Sequence, residues 1–373
     1  MKRPRHVVVL GTGAFAGTLS KAFAQRASGP TVVHVVSGHH DRARNLAALA
    51  NAHAVLADRS VRFCPHRLDV AGGADLRPLL GRHQPQVLAV CSSEYSPGEM
   101  RGHPSAWTHL VGAAGFGVTV PLQAATALRA ASAVEASPGT AVVNACFPDA
   151  VNPVLHGAGL PVLCGLGNVS TLVGLLRSEL RVSDESRLKV LAHHAHLHSP
   201  PTADQDIRAW FDDQPLTAAH DILQRGRRRP RADLNEIGAV SGAAVIDALT
   251  HPRDYYVGHV AAPEGRPGGY PVVITGRSVA LRLPPGLSER QAVDRNQRWS
   301  VLDGITVDRQ GKAHFAPAAL DVLRPHWPDC PATFGPQDIE ELRTRQLILR
   351  ERLLQLPAPT PEPRKTYDTP ESL

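Results

Sequence analysis

The chain opens with a short unbroken apolar run, His6–Leu10, that stops at a glycine. A run of that length, bounded by glycine, predicts a strand buried on both faces. Small and apolar residues at helical spacing follow over Ala14–Ala27, then a β-branched run at Thr31–Val36. The alternation repeats. It predicts helices at Asp41–Ala54, Leu76–Arg82 and Leu122–Ala136, and strands at Val61–Val70, Gln86–Cys91 and Thr140–Asn144. Elements alternating at these lengths imply an α/β fold with a Rossmann-like, doubly wound parallel sheet.

After Pro153 the pattern changes. A strand at Leu163–Gly165, a helix at Val169–Leu180, a strand at Leu188–His198 and helices at Ala218–Leu223 and Asp233–Leu249 are expected. Tyr255–Ala261 and Pro271–Leu283 read as antiparallel strands, and Glu289–Leu302 as a helix, which together make a second, α+β domain. Farther on, Leu342, Leu349 and Leu356 recur at heptad spacing, with Ile339 and Leu353 on the same side. They predict an amphipathic helix over Pro336–Leu356 that lies on the body or forms a subunit contact. The expected division is a dinucleotide-binding domain (1–153), a substrate domain (154–304), a C-terminal extension with its helix (305–356) and a disordered proline-rich tail (357–373).

Composition narrows the class. A chain of 373 residues suits two domains of ordinary size. The net charge of +6 is spread out. Its one dense run, Arg225–Arg231, lacks aromatic partners and reads as a solvated loop, so no nucleic-acid partner is expected. The five cysteines are scattered without a CxxC pair, which argues against a disulfide framework and a thiolate zinc site. The first apolar run is too short for a signal peptide or a membrane span, so a cytoplasmic protein with no membrane partner is expected.

The chemistry starts at the glycine loop, Gly11-Thr12-Gly13-Ala14-Phe15-Ala16-Gly17. Gly11 permits the tight turn after the strand, and Gly13 lets backbone amides approach a pyrophosphate. Ala16 or Gly17 lets the helix pack close to the sheet. The loop follows an expected strand and opens an expected helix, the context that gives the motif its meaning. Ser37 stands at the end of the second strand, where an acidic residue would bind the ribose hydroxyls. His39, His40, Arg42 and Arg44 follow it. Without a carboxylate to repel a 2′-phosphate, and with cations to pair it, NADP is favoured over NAD, although Asp41 can still act as the acid. Asp69 and Ser92, at the ends of the third and fourth expected strands, are further cofactor contacts.

Several stretches, taken in order, resemble the lactate/malate dehydrogenase superfamily. Pro97–Arg101 resembles the mobile substrate loop, Val142–Asn144 the strand ending in an asparagine beside the nicotinamide, and Leu172–Arg177 a helix carrying an aspartate and an arginine. Val190–Ala195 resembles the stretch with the catalytic histidine, and Gly238–Ala244 the small-residue helix over the substrate pocket. Tyr270–Gly276 resembles a proline-containing strand near the end of the fold. The resemblance implies a catalytic set: His194 as acid/base, Arg177 as the clamp on a substrate carboxylate, Arg101 as the loop arginine, and Asn144 as the group orienting carbonyl and cofactor. Two positions depart from it. The aspartate that should orient the histidine aligns with Gly174, and the first loop arginine with Tyr95.

In an extended strand His194, His196 and His198 would share one face. Residues two apart do not converge on one metal without a fourth ligand, and none is near in sequence, so no metal is expected. Asp149 or Asn152, just after Asn144, can replace the missing carboxylate, or Asp149 simply caps a proline-initiated helix. The reading is an NADP-linked oxidoreductase on a carbonyl/hydroxyl or imine/amine of a small or medium-sized substrate, working as a homo-oligomer. The alternatives are a non-redox natural-product or peptide tailoring enzyme, such as a cyclase, and a non-catalytic partner docking through Pro336–Leu356.

Overall fold

Six parallel strands form one side of a nine-stranded sheet, out to its edge at the third: β1 (Arg5–Leu10), β2 (Thr31–Ser37), β3 (Val61–Arg67), β4 (Val87–Val90), β5 (Ala141–Asn144) and β6 (Val162–Gly165), in the order 6-5-4-1-2-3. The structure is a computed structural model and describes residues 3–96, 104–200, 202–251 and 255–358. On one sheet face Val7, Val9, Val33 and Val35 pack under α1 (Ala14–Arg26) and α2 (His40–Leu56). On the other, Val8, Leu10 and Val36 meet α3 (Arg77–His83). The strand order reverses between β1 and β4. Ligands of such sheets bind at this crevice, beyond the carboxyl ends of the strands.

Two further helices were reached unequally by the pattern. The first, α4 (Ala106–Ala114), lacks a polar face and escaped periodicity. Its start is nonetheless marked by reciprocal bonds between Ser105 and Thr108, a capping box. The second, α5 (Val120–Ser132), continues as a 3₁₀ turn to Ala136.

The boundary expected after residue 153 falls inside α6 (Pro148–Gly157), and β6 continues the parallel sheet beyond it. Three antiparallel strands then extend the same sheet, although other elements lie between them and β6 in the chain. In sequence order the intervening elements are α7 (Val169–Leu180), β7 (Leu188–Leu191), β8 (Arg208–Phe211), β9 (Gln214–Pro215), α8 (Ala219–Gly226) and α9 (Arg231–Thr250). The extending strands are β10 (Tyr256–Ala261), β11 (Gly269–Thr275) and β12 (Ser278–Leu281). The single run expected at Pro271–Leu283 is thus a hairpin, turning at Gly276. Helix α9 packs across α1, and β7–β9 form a separate small sheet.

The C-terminal part is built into the body. After α10 (Glu289–Ser300) come β13 (Ile305–Val307), β14 (Ala313–Phe315), α11 (Pro317–Leu323), β15 (Thr333–Phe334) and α12 (Ile339–Leu354). Ile339, Leu342, Leu349 and Leu353 are buried in one cluster with Leu88, Val90 and Trp107 of the Rossmann half. Leu356 is half exposed. Gln346, fully buried on α12, donates to Val118 O at 2.5 Å. Among the described residues no single helix is long and apolar enough to cross a membrane.

Candidate active site

The chain leaves β1 through Gly11 at φ +119°, and a Cβ there would sit 2.6 Å from Cys91 O. Only glycine lets the loop pass the end of β4 this closely. Gly13 is different. Its backbone is extended and a Cβ would meet nothing within 4 Å. Gly13 caps α1 without a side-chain hydrogen bond, and the first turn holds no acidic residue. The first amides of α1, led by Ala14 and Phe15, have no partner within the helix and carry its positive end. Thr12 Oγ1 and Ser37 Oγ lie 3.2 Å apart, and His39 N donates to Ser37 Oγ at 3.2 Å. The side chains of His39 and Arg42 are exposed at the start of α2. Asp69 lies against Gly38 and accepts from Gly72 N at 3.0 Å. Ser92 is half-buried at the end of β4, its amide beside Gly11.

The strand expected to run through His198 stops at Leu191. Ala192 bridges to Gly269, and residues His194–Leu197 then turn as a 3₁₀ helix. The cause is local: His193 N donates to His196 Nδ1 at 2.8 Å. Imidazoles that bond to the neighbouring backbone offer it an alternative to the ladder. The one-face arrangement of His194, His196 and His198 is therefore replaced by a turn. His196 also contacts Gln205 O at 2.9 Å and the edge of Trp299, and burial pulls it down to about 4. Arg227 closes the turn. Its side chain, 2% exposed, donates to His196 O at 2.7 Å and forks onto buried Asp206. The basic run is thus solvated only in part.

His194 points the other way. Its Nδ1 lies 3.0 and 3.1 Å from the two carboxylate oxygens of Asp303, and His193 Nδ1 lies 3.1 Å from the same carboxylate. All three side chains are buried. Burial pushes the Asp303 carboxyl up, but the His194 charge and the bonds from both imidazoles outweigh it and hold the group far below the usual carboxylate range. Burial likewise pulls His193 down, and the Asp303 bond with the Asp149 and Asp303 charges reverses this, leaving it raised. With Nδ1 of His194 held by a carboxylate, Nε2 is the nitrogen free to exchange a proton. Phe116 stacks on the His194 ring at 4.7 Å and Phe147 meets it edge-on at 4.8 Å.

Asp303 reaches this position because Gly115 and Gly117, on either side of Phe116, leave room for its backbone. A Cβ on either would come within 2.6 Å of Asp303 O. Asp303 was missed from sequence. It precedes Gly304, which ends the short turn after α10, so it looks like an ordinary helix terminus.

The loop after β5 completes the network. Asp149 Oδ1 accepts from the backbone N–H of His194 at 3.1 Å, and its other oxygen accepts from Asn168. Asn144 donates to Asn152 Oδ1 at 2.9 Å and accepts from Cys146 N at 2.9 Å. Asp149 and Asn152 thus position the turn and the loop, while the carboxylate on the imidazole is Asp303. Phe147 (φ +43°) and Asn168 (φ +46°) hold left-handed backbone beside the site. Phe15 packs beside Gly167, so the glycine loop and the Asn168–Asp149–His194 chain meet at one corner.

No protein-family model and no curated protein sequence matches the chain. Solved structures do. A malate dehydrogenase from Picrophilus torridus in its apo form matches at 15% identity and TM-score 0.52, over 87% of this chain and 99% of that one. A malate dehydrogenase from Salinibacter ruber matches at 12% identity and TM-score 0.50, over 86% and 98%. The chain has the lactate/malate dehydrogenase fold. A malate dehydrogenase from Archaeoglobus fulgidus in complex with NADH is also similar, at 12% identity and TM-score 0.49, over 80% and 97%.

Within the lactate/malate dehydrogenase fold, the remaining expected residues separate. Arg177 does not join His194. Its guanidinium is held by Val182 O, Ser183 O and Glu185, the last at 2.7 Å, and Glu185 also binds His259 at 2.9 Å. Tyr95 is buried in the core, edge-on to Trp107 and tilted on Phe116. Gly174 faces Ile237 on α9, where a Cβ would come within 2.5 Å of its side chain, so an aspartate there would displace Ile237. Asn144 is fully buried and spends its amide on the loop. Arg101, with the loop Pro97–Arg101, lies outside the described residues.

Proposed function

We propose that this protein is a nicotinamide-dinucleotide oxidoreductase acting on a carbonyl/hydroxyl or imine/amine, with His194 as acid/base and Asp303 as its positioning carboxylate. The observation that carries the reading is the junction of two features. The open cradle of Gly13 and α1 adjoins, through Phe15 and Gly167, the buried His194–Asp303 pair.

A bound dinucleotide would supply the hydride. The loop residues Gly11–Phe15 would hold its pyrophosphate through backbone amides. Ser37, His39 and Arg42 would receive the adenosine ribose and favour a 2′-phosphate on it, so NADPH would be the preferred form. His194 Nε2 would give its proton to the substrate oxygen or nitrogen in the reduction and take it back in the reverse direction. Asp303 keeps the ring in one tautomer and one orientation. Phe116 and Phe147 line the imidazole with apolar surface, which suits a substrate carrying an apolar group next to the reacting bond. Arg177, committed to Glu185, plays no part in this scheme.

The same imidazole–carboxylate pair would also serve a non-redox cyclase, and one experiment separates the two. Oxidation of NADPH is followed by its absorbance with keto acids, apolar ketones and cyclic imines. The reading expects turnover with an apolar carbonyl or imine, lost in His194→Gln. A wild-type enzyme that binds the dinucleotide but never consumes it across the panel would favour the non-redox reaction.

A further inference from the structure

A second histidine cluster lies apart from His194, on the sheet face covered by α3. His6 on β1, His34 on β2, His66 on β3 and His83 at the end of α3 meet there. His6 Nδ1 is 3.0 Å from His34 Nε2, and His34 Nδ1 is 2.9 Å from His66 Nε2. The His83 ring lies over His34 with centroids 4.0 Å apart. One nitrogen from each of His6, His34 and His83 falls within 4.8 Å of the others.

Four imidazoles from four elements do not assemble for packing alone. Each ring is a poor hydrophobe, and like rings repel once protonated.

We propose that His6, His34 and His83 form a three-nitrogen site for a divalent transition metal of the zinc class, with water in the fourth position. Zinc–imidazole bonds of about 2.0–2.1 Å place tetrahedral ligand nitrogens roughly 3.3 Å apart. The His6–His34 pair is already close to that spacing, and a small turn of His83, which is half-buried, brings in the third. His66 stands behind. By accepting the Nδ1 proton of His34 it fixes the tautomer that presents Nε2 to the metal, the usual task of a residue behind a ligand. The metal would tie α3 to the first two strands. It would sit apart from the Gly13 cradle, on the sheet face opposite α1.

The test is calorimetric titration of ZnCl₂ into chelator-treated, untagged full-length protein, with thermal denaturation alongside. The proposal expects one zinc per chain and a metal-dependent rise in melting temperature. His34→Gln should abolish binding, and His66→Gln should weaken it about 10- to 100-fold. If His34→Gln fails to fold, the double variant His6→Gln/His83→Gln changes only half-buried positions and should show the same loss. No stoichiometric zinc, or zinc retained in that double variant, overturns the proposal. So does binding that disappears instead with His193→Gln.

Discussion

Both carboxylate oxygens of Asp303 lie within 3.1 Å of His194 Nδ1, and the two residues are 109 positions apart in the chain. This pairing supplies the orienting carboxylate that Gly174 denies. Asp303→Asn keeps the shape but loses the charge that holds the imidazole in its tautomer and orientation. The expected result is a fall in kcat of about 10²- to 10⁴-fold. The Kd for NADPH should stay near the wild-type value, because Asp303 acts on the imidazole and not on the glycine loop. A parallel loss of cofactor binding would mean that the residue merely supports the fold.

The His193–Asp303 contact gives a pH dependence of stability whose sign is fixed. His193 is raised in the folded chain, so its stabilising charge is fully present below the unfolded value of about 6.5. It is lost as pH rises through the higher folded value. Asp303 is depressed, so its contribution is present above about 4 and is lost in acid. The melting-temperature gap between wild type and His193→Gln should therefore be wider at about pH 5.5 than at about pH 8.5. A gap that widens toward alkaline pH contradicts the pairing.

Much of this fold was legible because its signals are local. The glycine after β1, the β-branched runs and the apolar spacing of α7 each act within a few residues. The expected α7 range, Val169–Leu180, is the one observed. The His193–His198 turn was not legible, because the bonds of the His196 side chain to the backbone override an apolar lead-in that otherwise reads as a strand. Asp303 was not legible either. Its burial depends on Gly115 and Gly117 leaving room nearly two hundred residues earlier in the chain. Arg177 shows the converse. Position in the resemblance suggested a substrate clamp, while Glu185, eight residues on, already holds it.

Cofactor preference should respond to Arg42. The side chain is exposed at the start of α2, so Arg42→Glu leaves the fold intact. It should weaken NADPH binding by about 10-fold or more through loss of the phosphate partner and addition of a repulsive charge, with little change for NADH. Parallel fluorescence titrations with the two cofactors measure it. Equal losses for both would remove the argument for the phosphorylated form.

The C-terminal extension should behave as core. Leu323 on α11 is fully buried in the cluster that includes Val90 and Trp107. Leu323→Ala should cost about 2–5 kcal/mol in denaturant unfolding. Ile348, 66% exposed on the outer side of α12, should change stability by less than about 0.5 kcal/mol when replaced by alanine. Similar small effects at both positions would make the extension an appendage.

The central claim is that the loop at Gly13 holds a dinucleotide, and Gly13→Val tests it most directly. The backbone there is extended, and a Cβ at this position meets no other heavy atom within 4 Å. The fold should therefore survive, with a stability change of about 1 kcal/mol or less. Calorimetric titration with NADPH should show one site per chain in the wild type and at least a 10-fold weaker Kd in the folded variant. Absence of binding of either NADPH or NADH to the wild type, or equal binding by Gly13→Val, would contradict the account.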